Sequence, residues 1–219
     1  MHLSTQNSGV SYSSKLFVLR LPEMHMKIAQ DRRNAQGAWL FLTSLSVFFF
    51  SCVLLYAIYV VIRVAPSGGL SQPFVLPINF ISTTVVLIAI SICLHLSVGA
   101  IQRERRVDVW RYIIIASILS VVFFGLQSTG MLTMIQRLQE STQQDRSLYG
   151  FTFLMVLVHA LHVVGGAAGL VFLLFGLSRE AYDHERYWPI QFCALYWHFL
   201  DVVWILMLAT FALAAYASK

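Results

Sequence analysis

Charge is what this sequence has least of. Only 11% of its 219 residues are Asp, Glu, Lys or Arg, against about a quarter in soluble domains. With 58% hydrophobic residues and a mean hydropathy of +0.72, the chain reads as an integral membrane protein with no separate soluble domain. Cysteine is scarce too. Cys52, Cys93 and Cys193 lie in apolar runs with no CxxC spacing, which argues against a disulfide framework or a zinc site and for three buried, inert thiols. No serine or cysteine nucleophile motif, phosphate loop, HExxH or paired carboxylate occurs, so no catalytic residue is assigned. The net charge of +5 is spread over connectors and no basic stretch interleaves with aromatics, so nucleic acid is not an expected partner.

What the chain does have is length of apolar run. Five runs span residues 37–62, 76–101, 112–135, 149–177 and 189–216. Each exceeds the roughly 20 residues that carry a helix across a bilayer core, and none shows the alternation of barrel strands. The expected fold is all-α: a five-helix transmembrane bundle over residues 36–219, preceded by a polar N-terminal tail, residues 1–35. The tail has no continuous apolar stretch of the kind that marks a cleaved secretory signal. The connectors read as "APSGGLSQP", "RERRVDV", "RLQESTQQDRS" and "SREAYDHER". The tail and the second and fourth connectors together carry eleven Lys and Arg, the opposite side four. That asymmetry places the N-terminus in the cytoplasm and the C-terminus outside.

Nine of the ten acidic residues lie in connectors or the tail; Asp201 alone lies inside an apolar run. His95, His159, His162 and His198 also fall within such runs. His159 and His162 are three residues apart on the fourth helix, as are His198 and Asp201 on the fifth, so each pair shares a face. The loop between these helices centres near residue 183, which puts His162 level with about position 204, within about a turn of Asp201. A charge-assisted contact between Asp201 and His162 or His159 would relieve the cost of burying the acid. Three readings stay open on residues alone: a structural polar network, a proton relay, or ligation of a haem by histidines such as His159 and His198. "GGAAG", Gly165 to Gly169, offers a small-residue face for close helix approach through Gly165, Gly166 and Gly169. Tyr196, Trp197 and Trp204 read as packing residues.

Taken together, "HALHVVGG" at 159–166 and "YWHFLDVVW" at 196–204 resemble subunit III of the haem-copper cytochrome oxidases. That family carries H-x-L-H-V-x-x-G on its penultimate helix and Y-W-H-F-V-D-V-V-W on its last. His159, Leu161, His162, Val163 and Gly166 match the first, and every position but Leu200 matches the second. "GAWLFLTS" at 37–44, Leu76–Pro77 with Ser82–Thr83, and Gln127 agree more loosely. The resemblance covers residues 36–216 and corresponds to the five-helix bacterial form. Three departures fall on acids: Leu45 and Gln191 stand where the family has glutamates, and Gly130 replaces an acid; in addition, Val156–Leu157 replaces Thr-Gly.

The resemblance implies a non-catalytic subunit of a terminal respiratory oxidase in the bacterial inner membrane. It implies packing against the catalytic subunit I and other oxidase subunits, with haem and copper in those partners and none in this chain. It also implies bound phospholipid, for which Arg179 at the end of the fourth helix is the candidate, and His159, His162, His198, Asp201 and Gln127 as an intramembrane polar network. Accessory subunits of quinol oxidases and nitric oxide reductases share the pattern. A b-type cytochrome or proton-coupled carrier is the alternative of a different class.

Overall fold

A computed structural model describes residues 9–64, 79–141, 143–179 and 188–217, with side chains described at residue 33 and over 35–63, 79–141, 146–179 and 188–217. The connector "APSGGLSQP", the pair Leu76–Pro77 and most of "SREAYDHER" lie outside these residues. The elements are α1 (Gly9–Tyr59), which ends in a π-helical turn (Val60–Val64), then α2 (Asn79–Gln102), α3 (Arg106–Glu140), α4 (Gln143–Ser178) and α5 (Trp188–Ala217). Five stretches are long and apolar enough to cross a membrane: Ala35–Arg63, Asn79–Gln102, Arg106–Glu140, Arg146–Ser178 and Trp188–Ala217. At about 1.5 Å per residue, even the shortest, 24 residues, exceeds the roughly 30 Å of hydrocarbon core.

Helices outrun the apolar runs at several ends. α1 begins at Gly9, inside the segment read as a polar tail. "RLQESTQQDRS" was expected to be a connector, yet α3 continues to Glu140 and α4 starts at Gln143, leaving a break of two residues. There the Ser141 amide caps the Arg137 carbonyl. Hydropathy marks what lies in lipid, whereas Arg, Leu, Gln and Glu are good helix formers in water and carry the helix onward.

The chain divides into two compact units, residues 1–46 and 47–219. In the first, Ser46 donates back to the Leu42 carbonyl. In the second, α2–α3, α3–α4, α4–α5 and α5–α2 contacts close a ring of four helices. Val47–Tyr59 of α1 lies against α4 and α5, where Tyr56 hydrogen-bonds Thr152 at 2.9 Å and packs edge-on against Phe211. Hydroxyls in this lipid-solvated bundle are satisfied internally: Ser51, Ser117, Ser128 and Thr133 each donate to the carbonyl four residues back. The α2–α3 reversal is tight, and Glu104 turns it in the left-handed region, φ 58°. Beside it, Asp108 spans Arg105 and Arg111 at 3.8 and 3.6 Å. Such exposed pairs are worth little individually.

Candidate functional site

The α4–α5 seam is built by what its glycines lack. A Cβ on Gly166 would lie 3.0 Å from the Trp197 ring. On Gly165 it would meet the Tyr196 hydroxyl at 3.4 Å, and on Gly169 the Cys193 sulfur at 3.7 Å. Bare backbone therefore faces α5, and the Tyr196 hydroxyl reaches it, donating to the His162 carbonyl at 2.9 Å. Carbonyls in a helix keep a second lone pair, so this bond adds to the α4 ladder without breaking it. Trp197 is fully buried.

One contact network continues down the bundle. Trp204, also fully buried, donates from Nε1 to the Thr84 hydroxyl at 2.9 Å. Its indole stacks on His159 with centroids 5.0 Å apart and meets Phe80 edge-on at 5.5 Å. His159 is completely buried, with Phe49 against its edge at 6.3 Å, and neither ring nitrogen has a hydrogen-bond partner. His162 turns its Nδ1 to the Val158 carbonyl at 2.8 Å and packs edge-on against Phe49 at 4.9 Å. Gln127, on α3, is 2% exposed, and neither end of its amide is bonded.

Asp201 does not meet a histidine across the hairpin. Its Oδ2 accepts a hydrogen bond from Ser91 on α2, and its Oδ1 has no partner. In depth the two are within the expected turn: Gly166 meets Trp197 and His159 meets Trp204, so His162 is level with Asp201. The facing was wrong. Positions three apart on a helix differ by about 60° around its axis. α5 is wedged between α2 and α4, and at about 100° per residue Cys193 and Tyr196 fall on its α4 side while His198 and Asp201 lie at least about 80° round, on its α2 side. His198 lies 6.0 Å, centroid to centroid, from His95 of α2.

The five residues expected to form one intramembrane network therefore sit in three places. His159 and His162 belong to the α1–α4–α5 aromatic cluster, His198 and Asp201 to the α2–α5 seam, and Gln127 to α3. His159 and His198, drawn above as a haem pair, face different helices. Arg179 is exposed just past α4. Among the described residues no three His, Cys, Asp or Glu converge as ligands for a metal. Cys52, Cys93 and Cys193 are free thiols. Sequence reading passed over Ser91, Thr84 and Thr152, three hydroxyls that bond between helices.

The seam yields a direct test. Removing the Ser91 hydroxyl strips the buried carboxyl of its one donor, a loss of about 1–3 kcal/mol. In a double-mutant cycle, Ser91→Ala and Asp201→Asn are expected to couple by at least about 0.5 kcal/mol, whereas His162→Leu and Asp201→Asn add independently. Thermal unfolding in detergent supplies the four corners of each cycle. Coupling to His162 and none to Ser91 would restore the cross-hairpin pair.

Comparison with known proteins extends these geometric findings. Residues 25–215 match the family described as cytochrome c oxidase subunit III. A probable cytochrome c oxidase subunit 3 of Nocardia farcinica is 28% identical over 177 residues, covering 80% of this chain and 84% of its own. One from Mycobacterium tuberculosis is 27% identical over 202 residues, covering 90% and 92%. A quinol oxidase subunit 3 of Bacillus subtilis is 26% identical over 184 residues, covering 83% and 87%.

Proposed function

The chain belongs to the cytochrome c oxidase subunit III family, and on that premise we propose that it packs beside the catalytic subunit I of a bacterial haem-copper oxidase and holds phospholipid there. It is an integral membrane protein serving as the accessory subunit III of such an oxidase. In this reading the partner subunits carry the haem and copper, reduce oxygen and take electrons from cytochrome c or quinol, and this chain has no reaction centre.

One observation carries the reading. The side chains of the two matching motifs are spent on holding helices together: Tyr196 on the α4 backbone, Trp197 over Gly166, Trp204 between Thr84 and His159, Asp201 on Ser91. Such a centre organises a scaffold and presents an apolar exterior to lipid and to neighbouring subunits. The Lys and Arg asymmetry supports a cytoplasmic N-terminus and an outward C-terminus. Arg179 then sits at the cytoplasmic surface, where a guanidinium can grip a phosphate with two parallel bonds.

The test is purification from membranes through a tag on this chain. A haem-bearing large subunit is expected to accompany it in equal amount, while the isolated chain shows no haem spectrum. A complex lacking this chain keeps its initial oxygen consumption and loses it over repeated turnover. Arg179→Ala is expected to lower the phospholipid retained per complex without changing subunit stoichiometry. A haem absorbance in the isolated chain, or immediate loss of oxygen consumption on its removal, would overturn the accessory role.

A further inference from the structure

The α2–α5 seam carries more polar chemistry than packing requires. Two side chains from each helix line it: Ser91 and His95, about one turn apart on α2, and Asp201 and His198, about one turn apart on α5. Because the helices run antiparallel, Ser91 meets Asp201 and His95 meets His198. Burial deepens along the line. His95 is exposed on the bundle surface, His198 is half-buried, and Ser91 and Asp201 are 5% and 9% exposed.

At the buried end one atom is unaccounted for. The Ser91 hydroxyl has a single proton and gives it to Oδ2 of Asp201, while Oδ1 has no donor. A carboxyl oxygen without a partner is costly at membrane depth, so the geometry calls for a ligand that brings a hydrogen. At the open end stands the His95 imidazole, whose two ring nitrogens can accept a proton on one side and donate one on the other. The His95 and His198 ring centroids are 6.0 Å apart, within reach of proton transfer between the rings directly or through one water. His198 lies about 4.5 Å along α5 from Asp201, three residues at 1.5 Å each.

We propose that this seam is a proton-holding site. A proton enters at His95, crosses to His198 and rests on Oδ1 of Asp201. His95 takes its proton from water outside the bundle, and each of the two transfers that follow moves one proton from an imidazolium nitrogen to the next base. The last converts a carboxylate to a carboxylic acid and returns His198 to neutral imidazole; no electrons move.

Other titratable groups on the packed elements are placed elsewhere. On α4, His159 is stacked on Trp204 and His162 is bonded to its own helix. On α5, Tyr196 donates to the α4 backbone and Cys193 lies beside Gly169. Cys93 on α2 is half-buried, and Arg63, in the π-helical turn against α5, is exposed. Asp201 forms no ion pair among the described residues.

The experiment is infrared difference spectroscopy on the full-length chain reconstituted in lipid, between about pH 5 and 8. A carboxylic-acid carbonyl band is expected that disappears in Asp201→Asn and changes frequency in Ser91→Ala, which removes the bond to Oδ2. On transfer to heavy water, exchange of that proton is expected to slow at least about tenfold in His95→Leu and in His198→Leu, since each removes a proton-transfer group. Because His95 is exposed, its substitution leaves the folded core untouched and keeps the test informative should Asp201→Asn fail to fold. Absence of an acid band sensitive to Asp201 and Ser91, or exchange at the unaltered rate in both histidine variants, would overturn the proposal.

Discussion

Substituting leucine for Gly166 is expected to abolish accumulation of the folded protein in the membrane. The first added carbon alone would sit 3.0 Å from the Trp197 ring, with two further ring atoms at 3.2 Å. Trp197 cannot swing away, because it is fully buried and its neighbours on α5, Cys193 and Tyr196, are themselves held against Gly169 and the His162 carbonyl. Overpacking by a methyl group costs about 1–3 kcal/mol in a tight core, and leucine adds three more carbons. In lipid no hydrophobic force pushes the helices back together, since bilayer tails are as apolar as the core; close packing is what holds them. Separating α4 from α5 also breaks the Tyr196 bond and unstacks His159 from Trp204. Gly166→Ala is the graded version, with a loss of about 1–3 kcal/mol. Gly125→Leu is the control, because nothing lies within 4 Å of a Cβ there. The measurement is the amount of monodisperse protein extracted from membranes. Equal yields for the Gly166 and Gly125 leucine variants would refute the tight-seam account.

How far this could be read from sequence depends on which coordinate of a helix is asked for. Span number and rough position were legible, because transfer of a 20-residue apolar run into lipid outweighs every local preference. Depth was legible where a short loop sets it, which is why His162 was placed within about a turn of Asp201. Azimuth was not. About 80° round α5 is enough to move Asp201 from the α4 side to the α2 side, and no loop joins α2 to α5 to reveal that they touch. Ser91 was hidden by its company: Ser51, Ser117 and Ser128 occupy similar apolar runs and do nothing but bond their own helix. The motif match names residues on α4 and α5, but a linear pattern does not say that Trp204 joins three helices while Asp201 joins two.

Trp204→Ala is expected to be the most damaging truncation in the bundle. Its indole bonds Thr84 at 2.9 Å, stacks on His159 at 5.0 Å and meets the Phe80 edge at 5.5 Å, so α2, α4 and α5 share it. Cutting a fully buried tryptophan to alanine costs about 3–5 kcal/mol in soluble cores. The lower end applies here, about 3 kcal/mol, because the lost term is packing and cavity formation rather than transfer from water. Phe80, whose ring packs where Gly130 has no Cβ, would lose its contact with the indole. Trp204→Phe separates the two contributions. It keeps an aromatic ring for His159 and removes the bond to Thr84 together with the part of the indole that a phenyl ring does not fill. Thr84 still donates to the Phe80 carbonyl at 2.7 Å, so its hydroxyl is not stranded; the lost bond is worth about 0.5–1.5 kcal/mol, and the smaller ring adds a cavity cost below that of alanine. Thermal unfolding in detergent, followed by size-exclusion, is expected to rank the proteins as unaltered, then Trp204→Phe, then Trp204→Ala by a wide margin. If the phenylalanine variant fell as far as the alanine one, the Thr84 bond and not the ring would be what ties α2 to α5. The His159 stack would then be a consequence of that tie instead of a support for it.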